Sequence, residues 1–311
     1  MKVCAILHRP TSDLAGAEQM LGAVLRHLES AGHEVTEIAT RKASLATEAS
    51  EGADVLLTHL DATKAASVAA FAHEVPLVAF QHNTFKHQKL QVQRSRVITA
   101  LVFNSMWMEQ AWTAIRPDLP RMIVHPPVDP AMYERVGGSD RYVSQINLYK
   151  NGKMIFDLAR LMPDTEFLAV QGGYGTQYLP SKIPDNVEIQ LPTNEIVWDV
   201  YARTRVLLVP SKYESWGRVG LEAASSGIPV IASAVPGLQE SLGHAGLFRD
   251  YRRTQQWVEA LESLTSPGVY SAYSRMARER ALQVWSVTQE QLAEFERFLD
   301  VHAETGSAYR L

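Results

Sequence analysis

The sequence is short of several residues and patterns, and each shortage excludes something. One cysteine, Cys4, stands among 311 residues. A disulfide framework and a cysteine-rich zinc site are therefore both excluded. No run of about 18 apolar residues occurs, so no helix is expected to span a membrane. The apolar stretch in MKVCAILHRP is too short for the hydrophobic region of a signal peptide and lacks a small-residue cleavage site after it. It reads as a first buried strand, and a cytoplasmic location is the expectation. The charge excess is small, at −4, so bulk electrostatics do not select a polyanionic partner, although a local patch could. Hydrophobic residues at 46% and charged residues at 21% are ordinary globular usage. The length suits two domains of about 150 residues each.

What is present alternates. Short apolar runs at 3–7, 34–39, 54–58, 76–80 and 100–103 read as buried strands. A polar loop is expected to run to Asp13. Helical periods occupy 17–28, 64–73 and 106–115, the last behind an Asn104-Ser105 cap. Three prolines within 126–130 fit neither a helix nor a central strand and mark a linker. The alternation then restarts, with strands at 142–146, 166–170, 187–190, 206–210 and 229–233 and helices at 154–161, 196–203 and 217–226. The last 60 residues or so are mainly helical, and Leu292, Phe295, Phe298 and Leu299 share one face. The fold class is α/β, with two linked Rossmann-like parallel-sheet domains and a ligand cleft at the carboxyl ends of the strands. The boundaries expected are 1–127, 128–285 and a closing segment 286–311 that packs back on the first domain.

Residues 206–248 carry the chemistry. They read as strand, loop, helix, strand and glycine turn. The helix beginning near Gly217 offers unpaired backbone N–H groups and the positive end of its dipole to an anion. Gly217 and Gly220 let a ligand approach the backbone closely. Glu214 precedes that helix and Glu222 lies in its early turns. A carboxylate repels phosphate, so each Glu suits sugar hydroxyls on either side of a diphosphate.

This segment resembles the donor-binding signature of family 4 retaining glycosyltransferases, of GT-B fold. The matching residues are Pro210-Ser211, Glu214, Glu222-Ala223, Gly227-Ile228-Pro229-Val230-Ile231-Ala232-Ser233 and Gly237-Leu238-Gln239-Glu240. Weaker likenesses extend it. Gly16-Ala17-Glu18 resembles the family's loop facing the donor phosphates, and His82 its histidine near the donor sugar. Val102-Phe103-Asn104-Ser105 and Pro127-Val128-Asp129 resemble its acceptor-domain strand and its linker. Lys150, before Asn151-Gly152, resembles the lysine that neutralises the diphosphate. Two departures stand out. Gln145 occupies the place of a frequent arginine, so a cation is missing unless Lys153, Lys212 or Arg218 replaces it. Lys150-Asn151-Gly152 also carries one residue more than the usual Lys-Gly. At this length, acceptor-side loops are expected to be trimmed.

The resemblance implies transfer of a sugar from a nucleotide-diphosphate sugar, of UDP or GDP type, to a hydroxyl acceptor with retention. Lys150 and the backbone of Gly217, Arg218, Val219, Gly220 and Leu221 are then assigned to the diphosphate. Gly16 would approach the same phosphates. Glu214 is assigned to the transferred sugar, Glu222 to the ribose and His82 to the sugar near C6 or its phosphate. The resemblance implies no cofactor and no metal. Metal-dependent transferases of the other common fold use an Asp-x-Asp triplet, and none occurs in this sequence.

Other features weigh less. Gly172-Gly173-Tyr174-Gly175 lacks dinucleotide spacing and reads as a turn near the donor site. Trp107, Met108, Trp112 and Ile115 share a face and read as core, and Cys4 as an inert strand residue. No acidic residue lies between Glu74 and Glu109, while Lys86, Lys89, Arg94 and Arg96 with His82 and His87 do. That window is either a solvated surface or a patch for an anionic acceptor such as nucleic acid or a phosphorylated lipid. A DNA-modifying transferase of phage type, a sugar-nucleotide epimerase or hydrolase and a non-catalytic nucleotide-sugar-binding module are the alternative functions.

Overall fold

The computed structural model describes residues 1–12, 16–134 and 141–305. The loop expected to run to Asp13 enters 13–15, outside the described residues. Two compact units make up the chain, Met1–Pro127 with Val287–Leu311, and Val128–Ser286. No helix among the described residues is long and apolar enough to cross a membrane.

The first unit holds β1 (Lys2–Leu7), β2 (Glu34–Ala39), β3 (Val55–His59), β4 (Leu77–Gln81), β5 (Ile98–Phe103) and β6 (Arg121–Ile123). They form one sheet in the order β2-β1-β3-β4-β5-β6, with every pair parallel. Parallel strands joined by helices are covered on both faces, which is why every residue of β3 and β4 is buried. On one face Leu7, Leu21, Leu28, Leu57 and Phe80 pack with Leu292, Phe295 and Leu299. The last three lie on the 39-residue helix Pro267–Thr305. On the other face Cys4, Ile6, Ala66, Leu101, Phe103 and Trp112 form a second core.

The second unit repeats the scheme with β7 (Tyr142–Ile146), β8 (Phe167–Val170), β9 (Val187–Gln190), β10 (Thr204–Val209), β11 (Val230–Ser233) and β12 (Gly246–Arg249). Their order is β12-β11-β10-β7-β8-β9, again all parallel. Phe156, Phe167, Trp257 and Leu261 fill one face, and Tyr201, Trp216, Leu221 and Leu238 the other. Strand order reverses between β7 and β10, so their carboxyl ends diverge into separate loops and leave the crevice where such sheets bind ligands.

Two helices are shorter than their sequence periods suggest. The helix expected over 106–115 ends at Ala111, although Ser105 caps it by accepting from the Met108 N–H at 3.1 Å. Trp112 turns inward to donate to the Asn83 carbonyl at 2.8 Å, and Arg121 takes the Ile115 carbonyl at 2.7 Å. The helix expected over 196–203 divides into Ile196–Asp199 and a 3-10 turn, Tyr201–Arg203. The break lets the Tyr201 hydroxyl reach Glu222. Helices Ala43–Ala49 and Pro236–Leu242 and strands β6 and β12 were not anticipated. All four are short, and short elements give little periodicity to read.

Phe295 is fully buried and meets Phe80 edge-on at 5.5 Å. Phe295→Ala is expected to cost about 3–5 kcal/mol, read from urea unfolding. A loss under about 1 kcal/mol would contradict its place in the core.

Candidate functional site

Where the second sheet reverses, the chain leaves β7 in a tight turn. Asn147 and Asn151 take left-handed φ values of 66° and 61°, a conformation asparagine tolerates better than most residues. Gly152 is required, since a Cβ there would lie 2.4 Å from the Leu148 carbonyl oxygen. The Asn151 side chain donates to the Pro210 carbonyl at 2.9 Å and ties this turn to the loop after β10. The turn delivers Lys150, whose Nζ lies 2.6 Å from Glu214 Oε1. Ser211 Oγ donates to the same oxygen at 2.9 Å. The Glu214 side chain is 7% exposed and that of Lys150 31%. Burial works against the Lys150 charge, but the Glu214 carboxylate and then Tyr174 more than offset it, and its pKa lies above the ordinary lysine value. Lys150 is therefore a cation at neutral pH.

Beside this pair begins the helix Arg218–Ser225. Gly217 precedes it at φ 87°, and no side chain caps its first turn. Its leading N–H groups and dipole are directed at whatever lies in front of them. The glycine-rich packing behind is tight. A Cβ on Gly217 would stand 2.4 Å from Leu238 Cδ2, and one on Gly237 would stand 2.3 Å from the Glu214 carbonyl oxygen. Gly237-Leu238, opening the helix Pro236–Leu242, thus sets the height of the loop that carries Glu214. Gly220 and Leu221 are buried in the first turns and Val219 half-buried.

Glu222 is 5% exposed and has a partner at each oxygen. Tyr201 donates to Oε2 at 2.8 Å, and Arg218 lies 3.2 Å from Oε1. Arg218 also reaches the Tyr133 hydroxyl at 3.4 Å. Burial first, and Glu222 next, push the Tyr201 and Tyr133 hydroxyls above the ordinary phenol range, so both stay protonated and can donate.

Sequence reasoning gave Lys150 and Glu214 separate tasks, whereas the structure joins them in one ion pair. It left open what stands in for the cation absent at position 145. Gln145 is fully buried and donates to the Lys150 carbonyl at 3.3 Å, so it braces the turn. Lys153 pairs with Asp157 and Arg218 with Glu222, while Lys212 is exposed. Ser211 and Asn151 were legible only as members of motifs, and Tyr133 and Tyr201 were missed as supports. Nothing in the local pattern of the two tyrosines separates them from core or loop residues. Gly172 fits against the Asn147 side chain and Tyr174 meets Tyr149 at 6.0 Å, so the 172–175 turn does pack on the turn bearing Lys150.

The remaining candidates belong to the first unit. Gly16 opens the helix Gly16–Ser30 and is exposed, with nothing within 4 Å of where a Cβ would stand. Lys86, Lys89 and Arg94 lie on the helix Lys86–Arg94, and Arg96 follows it. Lys89 is drawn inward to the Ala111 carbonyl and over the Trp112 ring. The acid-free window is not acid-free in space, because Asp61 stands 3.5 Å from His87. His82 follows β4, 9% exposed, with the His59 ring edge-on at 5.5 Å. Burial pushes the His82 pKa down to about 4, and burial with neighbouring histidines lowers that of His59. Between the usual imidazole pKa and about 4, the unfolded chain binds a proton at position 82 that the folded chain does not. Stability is therefore expected to fall as pH drops through that window, and His82→Gln to flatten the slope, measured by urea unfolding from pH 6.5 to 5. An unchanged slope would contradict a buried neutral His82.

Comparison with known proteins bears on the second unit and on the fold. The family model described as glycosyl transferases group 1 matches residues 142–281. The D-inositol 3-phosphate glycosyltransferase of Rhodococcus jostii is 36% identical over 133 residues, 42% of this chain and 27% of that protein. That of Mycobacteroides abscessus is 31% identical over 166 residues, 49% of this chain and 37% of its own. The matches thus cover between about a quarter and two fifths of these relatives' length. Among solved structures, Anabaena Alr3699/HepE in complex with UDP and glucose superposes with a TM-score of 0.77 at 17% identity, over 95% of this chain and 99% of that one. Sucrose-phosphate synthase from Thermosynechococcus elongatus gives 0.76 at 16% identity, over 97% and 100%. Residues 142–281 therefore match the glycosyl transferases group 1 family, and the chain that carries them has the GT-B fold.

Proposed function

We propose that this chain is a retaining glycosyltransferase that moves a sugar from a nucleoside-diphosphate sugar to a hydroxyl acceptor without a metal ion. The observation that carries the reading is the Lys150–Glu214 pair at the switch point of the second sheet, beside a helix N-terminus that no side chain caps. One cation and one set of backbone donors suit a diphosphate, and two buried carboxylates suit sugar hydroxyls. The names of the relatives support glycosyl transfer, and the UDP and UDP-glucose bound by Alr3699/HepE support a nucleotide-sugar donor. The family match lies within the second unit, so it speaks for the donor side.

In the proposed reaction the bond between the anomeric carbon and the phosphate oxygen breaks as one to the acceptor oxygen forms on the same face. The acceptor's proton passes to the leaving phosphate oxygen. No side chain has to take that proton. The protein's work is positioning and stabilising charge on the departing diphosphate. Lys150 and the N–H groups from Gly217 to Leu221 are assigned to that charge, Glu214 to hydroxyls of the transferred sugar and Glu222 to the ribose. Gly16 and His82 are assigned, from the family resemblance, to the diphosphate and the sugar.

Glu214→Ala is expected to lower transfer by roughly a hundredfold or more while nucleotide affinity stays within a few-fold. The assay is UDP or GDP release from a panel of nucleotide sugars with hydroxyl acceptors that include D-inositol 3-phosphate, beside calorimetric nucleotide binding. Transfer that persists in the variant overturns the assignment of Glu214.

A further inference from the structure

The first unit carries a cluster that the transfer chemistry does not use. His27 lies in the last turn of the helix Gly16–Ser30, and His33 in the connection from it to β2. Glu296 and Asp300 stand one turn apart on the helix Pro267–Thr305, so their side chains leave the same face. The ligand atoms of His33, Glu296 and Asp300 all lie within 4.8 Å of one another. His27 Nε2 is 3.4 Å from one Glu296 oxygen, and His33 Nε2 is 3.5 Å from the other.

The state of the two imidazoles points to a ligand. Both Nε2 atoms are shut off from solvent, and neither has a hydrogen-bond partner among the described residues. The His33 side chain is 8% exposed and aims this nitrogen at the carboxylates. A buried ring nitrogen left unbonded is costly. Two carboxylates at i and i+4 also repel each other. A cation between them would remove both penalties.

We propose that His33, Glu296 and Asp300, with His27 alongside, form a binding site for a divalent metal ion of zinc type. Imidazole nitrogens mixed with carboxylate oxygens favour zinc over magnesium or calcium, which prefer oxygen alone. Bonds of about 2.0–2.2 Å place tetrahedral ligands about 3.3–3.6 Å apart. The contact of His33 with Glu296 already lies in that range, and Asp300, within 4.8 Å of both, has about 1 Å to close. Asp300 is exposed, which leaves an entry path. The ion would staple the segment after the first helix to the last helix. Both contribute to one core, through Leu25 and Leu28 on one side and Phe295 and Leu299 on the other. None of the donor-side residues takes part, so the role is structural.

The test uses the full chain after chelator treatment, titrated with ZnCl2 by calorimetry and followed by thermal melting. One zinc ion per chain is expected, with saturation at micromolar zinc and a rise in melting temperature that grows with zinc concentration. Glu296→Gln and Asp300→Asn should each weaken binding by at least about tenfold. Cobalt(II) in place of zinc should give the visible absorption of a tetrahedral site in the parent and not in the variants. Should Glu296→Gln fail to fold, Asp300→Asn decides, because an exposed side chain has no packing to lose. No saturable binding below about 100 μM zinc overturns the proposal. So does binding that both variants leave unchanged, which would mean that other histidines hold the metal.

Discussion

A carboxylate held almost out of water must be matched by charge or hydrogen bonds, and the second unit holds two of them at one edge of its sheet. Glu214 is matched by Lys150 and Ser211, and Glu222 by Tyr201 and Arg218. Burial of unpaired charges of this kind would cost several kcal/mol each. Much of the local architecture follows from meeting that demand. The turn at 147–152 is wound tightly enough to need Gly152, and so puts Lys150 against Glu214. The break at Val200 brings Tyr201 to Glu222. Gly237 permits the approach of the next helix to the loop bearing Glu214.

The same arrangement prepares the site for an anion without placing a carboxylate in its way. Glu214 and Glu222 each face a cation, so the negative charge near the helix N-terminus is offset. On the proposed reading, a half-buried lysine whose partner keeps it charged, beside backbone donors fixed by a glycine start, is preorganised for charge that builds on a leaving diphosphate. On the proposed reading, that preorganisation takes the place of proton transfer by a side chain.

The α/β class and the parallel sheets were legible because apolar runs of strand length alternate with helical periods, and this alternation admits few topologies. The 206–248 segment was legible because its parts are neighbours in sequence. Pairings across long separations were not. Lys150 and Glu214 are 64 residues apart, and Tyr201 and Glu222 are 21 apart. Charge type alone could not show that Arg218 would turn to Glu222 or that Gln145 would brace a turn. The basic window at 86–96 illustrates the same limit, since Asp61 and the Ala111 carbonyl reach it from elsewhere in the chain.

The proposed metal-free nucleoside-diphosphate site is built on Lys150, the Gly217–Leu221 backbone and Glu222. Thermal stability with UDP, GDP, ADP, CDP and dTDP tests it most directly, with EDTA in every arm including the reference so that metal held elsewhere cancels. One nucleotide is expected to raise the melting temperature, by the equivalent of about 2.7 kcal/mol at a hundred times its Kd. No shift with any of the five would contradict it.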